Sequence, residues 1–154
     1  MTYKSGFYSA LGLWVLTIAT AGYFFVKGHT VASTDARTAV MLTDVERDQI
    51  LAEMRHFLKA VHGVLEAIVG QDLSHAERSA RAAGMAMSVD INPMIMAKLP
   101  LTFKAMGMSV HRDFDALADG IQSGERGEQV LKRLSDLTST CTACHDLYRF
   151  STGK

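Results

Sequence analysis

Net charge is what this chain most plainly lacks: sixteen Lys and Arg balance sixteen Asp and Glu across 154 residues. From Thr43 to Lys154 there are fifteen acidic residues against thirteen Lys or Arg, and the basic ones form no patch, stripe or tail. Nucleic-acid binding therefore has no electrostatic footprint here. Proline is nearly absent, and both prolines fall in Ser88–Pro100, so that stretch is expected to be an irregular connection holding at most a short turn of helix. No segment alternates with period two, so no strands are expected. A phosphate loop, a Ser-His-Asp arrangement and a catalytic carboxylate pair are also missing, and no enzymatic activity is expected.

The only two cysteines stand together in Cys141-Thr142-Ala143-Cys144-His145. C-x-x-C-H is the attachment signature of a c-type haem. Two thiols add across the two vinyl groups of one porphyrin edge, and the adjoining imidazole ligates the iron. On a helix these three residues share one face. A redox dithiol would want a strand-to-helix setting, and a zinc site would need about four ligands, so covalent haem c is the stronger reading.

Charge is absent a second time from Gly6 to Val26, with Lys4 before it and Lys27 after it. That run is long enough to cross a bilayer, which needs about 20 residues, and Trp14, Tyr8, Tyr23, Phe24 and Phe25 supply interfacial aromatics. A cleaved signal peptide competes, with Thr30-Val31-Ala32 as the cleavage site, but the run is longer than a usual h-region and ends in bulky rings. Residues 1–27 are accordingly expected to form an uncleaved anchor in a bacterial inner membrane, touching lipid through residues 6–26. Residues 28–42 read as a tether, and 43–154 as a domain on the periplasmic side.

Four amphipathic helices are expected in that domain. Thr43-Asp44-Val45-Glu46 is a capping box opening the first, which runs to about Val69 with Ile50, Met54, Leu58, Val61, Leu65 and Ile68 inward. Ser74-His75-Ala76-Glu77 repeats the pattern and starts the second, to about Met87. The third runs from about Leu101 to Gln122, and the fourth from about Gly127 to Phe150, where Cys141, Cys144 and Tyr148 continue the seam of Val130, Leu134 and Leu137. The fold class expected is all-α, an antiparallel four-helix bundle preceded by one transmembrane helix.

Four helices with C-x-x-C-H on the last resembles the cytochrome c′ family. The resemblance covers about Thr43 to Phe150. It implies a haem-contacting role for Arg149, four residues after His145, and for Met54, seven residues after Arg47, as a distal residue that either ligates the iron or only lines the pocket. The anchor departs from that soluble family, so its freely diffusing dimer does not carry over, and a homodimer or larger complex both stay open.

Three functions follow. One is an electron carrier serving a membrane oxidoreductase or another redox partner protein. The second is a module binding nitric oxide or carbon monoxide at an open iron. The third is a relay subunit whose anchor packs through Gly12, Ala19 and Gly22. Of the remaining residues, His56 and His62 are expected in solvent, and His111 as a satisfied or half-exposed histidine rather than a ligand. The six methionines from Met85 to Met108 are expected as core filler, and Asp113, Asp115 and Asp119 as a solvated face.

Overall fold

The computed structural model describes residues 3–90 and 92–153; Met1 and Lys154, the outer limits of the expected anchor and domain, lie outside the described residues. Most of the chain is helical. Helix α1 (Tyr3–Lys27) leads into two short strands, β1 (Thr30–Ala32) and β2 (Thr38–Leu42). Then come α2 (Asp44–Val69), α3 (Leu73–Arg81), a 3₁₀ turn (Met85–Asp90), α4 (Pro93–Lys98), α5 (Leu101–Gln122), α6 (Glu128–Leu147) and β3 (Tyr148–Thr152).

Local chemistry accounts for most helix starts. The capping box at Thr43 is formed in full: its hydroxyl accepts from the Glu46 amide at 3.3 Å, and the Glu46 carboxylate accepts from the Thr43 amide at 2.8 Å. Helix α3 begins one residue before Ser74, because the Asp72 carboxylate accepts from the His75 amide at 2.9 Å and takes the cap. It ends at Arg81 rather than near Met87. The proline stretch does hold a short helix, α4, capped by Asn92 with Pro93 at its first position.

The expectation of an all-α chain without strands is corrected. Strand β2 pairs antiparallel with β1 (Ala39 opposite Val31) and parallel with β3 (Val40 opposite Phe150), giving a three-stranded sheet in the order β1-β2-β3. Two expectations change with it. Residues 28–42 carry β1 and β2 instead of a loose tether, and the last helix stops at Leu147, so Tyr148 and Phe150 are strand residues. Tyr, Phe and Thr favour the pleated, half-buried surface that Tyr148-Arg149-Phe150-Ser151-Thr152 supplies. At the end of α6 the Arg37 guanidinium donates to the His145 carbonyl at 3.3 Å, satisfying one of the acceptors that a helix end leaves over.

Two hydrophobic clusters hold the body together. The larger joins α2, α3, α5 and α6 through Val64, Ala67, Ala76, Ala80, Phe114, Leu117, Val130 and Leu134, with Phe57 and Cys141 packed on it. The smaller gathers Val40, Leu42, Ile50, Ile95, Leu99 and Phe103, with Met54, Cys144, Tyr148 and Phe150 packed against it. On α2 Ile50 is buried, as expected, together with Ala60, Gly63, Val64 and Ala67, while Leu58 and Leu65 are exposed, against expectation. Small residues make the seam because α3 lies close: a Cβ at Gly63 would come 2.6 Å from the Ser79 hydroxyl.

Candidate functional site

Between the two clusters lies a cavity of about 900 Å³. Its wall is predominantly apolar, with Ile50, Phe57, Val61, Ile95, Leu99, Phe103, Val110 and Phe114 contributing. Cys141, Cys144, His145 and Met54 all line it, although they come from opposite ends of the body's sequence. Helix α6 delivers the first three on one face, and α2 delivers Met54. Cys141 packs against the larger cluster, and Cys144 and Met54 against the smaller, so the motif straddles the seam between them. A cavity of this size lies within the range of small-molecule and cofactor sites, about 300–1,000 Å³.

The thiol chemistry separates two readings of the motif. Neither cysteine forms a disulfide. Burial pushes the Cys141 thiol above its ordinary value, and does the same to Cys144, where the neighbouring Cys141 adds to it. Both also sit in the last two turns of α6, at the negative end of the helix dipole, which disfavours a thiolate. A redox dithiol needs the opposite setting, at a helix N-terminus or beside a cation. These thiols are held protonated, side by side, against an apolar chamber.

Arg149 stands apart. It lies on β3, off the cavity wall, with its guanidinium donating to the Ser33 hydroxyl at 3.2 Å and 3.7 Å from the Asp35 carboxylate. Its partners belong to the β1–β2 connection, so Arg149 ties the two ends of the body together. Arg47 is likewise off the wall, paired with Asp44 at 3.1 Å and Asp48 at 2.8 Å.

His111 is a satisfied histidine, as expected, but a more consequential one than its sequence context suggests. It is 2% exposed on the wall, with Nδ1 2.9 Å from the Ala83 carbonyl and 3.1 Å from that of Gly84. Its Nε2 is 3.0 Å from the Glu53 carboxylate. Both nitrogens face acceptors, so the ring has a partner for a donated bond on each side when it is protonated. Burial acts to lower its pKa, and the bonds to Glu53 and to the Ala83 carbonyl outweigh that and raise it. Phe57 packs edge-on to the ring, with centroids 4.8 Å apart.

Four methionines of the set expected as core filler, Met87, Met96, Met106 and Met108, line the cavity alongside Met54. Their placement had no signal in the sequence, because they come from three separate elements. Exposed His56 also reaches the wall, whereas His62 is in solvent near Glu66. The acidic residues of α5 are partly neutralised: Arg81 bonds Asp115 at 3.3 Å and Asp119 at 2.6 Å. No cluster of three or more His, Cys, Asp and Glu suited to a bare metal ion is present among the described residues.

No family model, curated protein or solved structure matches the chain.

Proposed function

We propose that this chain is a membrane-anchored c-type cytochrome carrying single electrons on the periplasmic side of a bacterial inner membrane. One observation carries the reading: both thiols and the histidine of C-x-x-C-H stand on the wall of a single apolar cavity large enough for a cofactor, with Met54 on the same wall. The residues fit the group. Cys141 and Cys144 would hold haem through two thioether bonds, and His145 would supply the axial imidazole. Bound haem would supply a reversible one-electron change at iron. The chain's own part is to keep His145 in place on α6, exclude water with the aliphatic and phenylalanine wall, and offer thioether sulfur from Met54.

The antiparallel order of the four body helices, and the likeness to cytochrome c′, belong to this reading. So does the anchor: the apolar helix Ser5–Lys27, with no residue of its most apolar stretch buried, is long enough to cross a membrane. The electron's partner is then a membrane oxidoreductase or a protein associated with one, met at the raised local concentration that tethering brings.

Expression with a c-type maturation system tests the reading. After extraction in acid and organic solvent the haem should remain on the chain, and Cys141→Ala with Cys144→Ala should release it. Haem that washes out of the unaltered protein refutes covalent attachment. Carbon monoxide added to the reduced protein then separates carrier from gas binder. Slow or absent binding, made rapid by Met54→Ala, supports ligation by Met54; rapid binding in both favours an open iron and the sensing function.

A further inference from the structure

The joint between α1 and the body has no slack. Gly28 is buried with φ +66°, its amide donating to the Phe24 carbonyl at 2.8 Å, and the next amide, of His29, donates to the Lys98 carbonyl at 2.7 Å. A Cβ at Gly28 would come 2.5 Å from that carbonyl oxygen and 2.6 Å from the Pro100 nitrogen. The chain leaving the apolar helix is therefore fused at once to the α4–α5 corner.

The contact continues back along α1. The Lys104 amino group lies 3.4 Å from the Phe25 carbonyl and 4.1 Å from the centre of the Phe25 ring. Phe25 is two residues inside the end of the 23-residue apolar span, a rise of about 3 Å. A helix of that length matches a hydrocarbon core of about 30 Å with little to spare, so this level is the headgroup boundary. Leu101, Lys104 and Ala105 stand at i, i+3 and i+4 on α5, and Leu101 and Ala105 are exposed, Leu101 at 42%. An exposed leucine beside a lysine whose amino group lies over an aromatic ring suits an interface, with the leucine and the ring at the acyl boundary and the cation at the headgroup level.

We infer that the first turns of α5 are seated in the phospholipid headgroup layer, so that one wall of the cavity is presented to the membrane surface. Lys104, Leu99 and Phe103 belong both to this corner and to the cavity wall. The occupant of this face is the bilayer itself. The inference rests on α1 spanning that bilayer, but not on haem.

Photo-crosslinking in phosphatidylcholine–phosphatidylglycerol vesicles tests it. Benzoylphenylalanine is placed, one site per protein, at positions 14, 101, 105 and 69 of the full chain, and lipid adducts are read by mass spectrometry. Position 14 reports the span. Val69, 87% exposed, lies 23 residues and about 35 Å along α2 from Glu46, whose carboxylate holds Lys98 at 2.7 Å, so position 69 reports the far end of the body. Adducts at 14 and at 101 or 105, at least fivefold above those at 69, are expected. Adducts at 14 alone, or equal adducts at 69, overturn the seating and leave the span intact. No adducts at 14 overturn the span and the seating with it.

Discussion

Among the described residues of the cavity wall, His111 concentrates the most bonding in one side chain, and the partners that raise its pKa are brought to it by the fold. Its pKa is raised above the ordinary 6.5, so the stability it contributes is fully present below that value and is lost as pH climbs through the raised one. Denaturant midpoints of the wild type and His111→Gln should therefore differ most at acidic pH and converge in alkali. At neutral pH the variant should be less stable by about 3 kcal/mol, since it leaves the Glu53 carboxylate without its buried partner. Gly28 makes a second case. Alanine there would need both a left-handed backbone and room already filled by Lys98 and Pro100, so Gly28→Ala should cost about 2 kcal/mol or more by chemical unfolding in detergent. The importance of neither residue is visible in sequence: a histidine beside a valine and a glycine after a lysine carry no mark of what approaches them from distant segments. The proposed haem motif is the opposite, because its spacing can be read directly from the sequence.

At the scale of the element, helices follow their local signals and the strands follow none that is local. The Thr43 box and the long periodic stretches of α2 and α5 were legible because capping and periodicity operate within a few residues. Helix α3 shows the limit, since Asp72 and Ser74 both suit a cap and only geometry chooses. Asp72→Ala should accordingly destabilise by about 1 kcal/mol, whereas Ser74→Ala should stay within about 0.5 kcal/mol in the same unfolding assay. Strands β2 and β3 are five residues each, pair with one another across the whole body, and do not alternate cleanly, Ala39 and Val40 both being buried, so no period-two signal marks them. On α2 the pattern of large apolar residues marked the edge facing the cavity, where Met54 and Val61 stand, and passed over the Ala60–Val64–Ala67 seam, because small side chains pack a close helix contact without looking hydrophobic. Replacing Val40, fully buried at the centre of the sheet, by Ala should cost about 2 kcal/mol and loosen Phe150.

For the whole molecule, the pairing of β2 with β3 joins position 38 to position 148, nearly the full length of the body. Loop closure over such a span is the costliest and latest kind of contact to form, while helices of this size can appear early. The order of assembly is thereby written into the topology. The strand that completes the sheet begins three residues after His145, so the cysteines and the histidine lie directly ahead of the segment that docks last. On the proposed reading, Cys141 and Cys144 would already stand on the packed helices when β3 latches the sheet beside the site. Hydrogen exchange during refolding should show amides of α2 and α5 protected before those of Val40 and Phe150, with simultaneous protection counting against a latch.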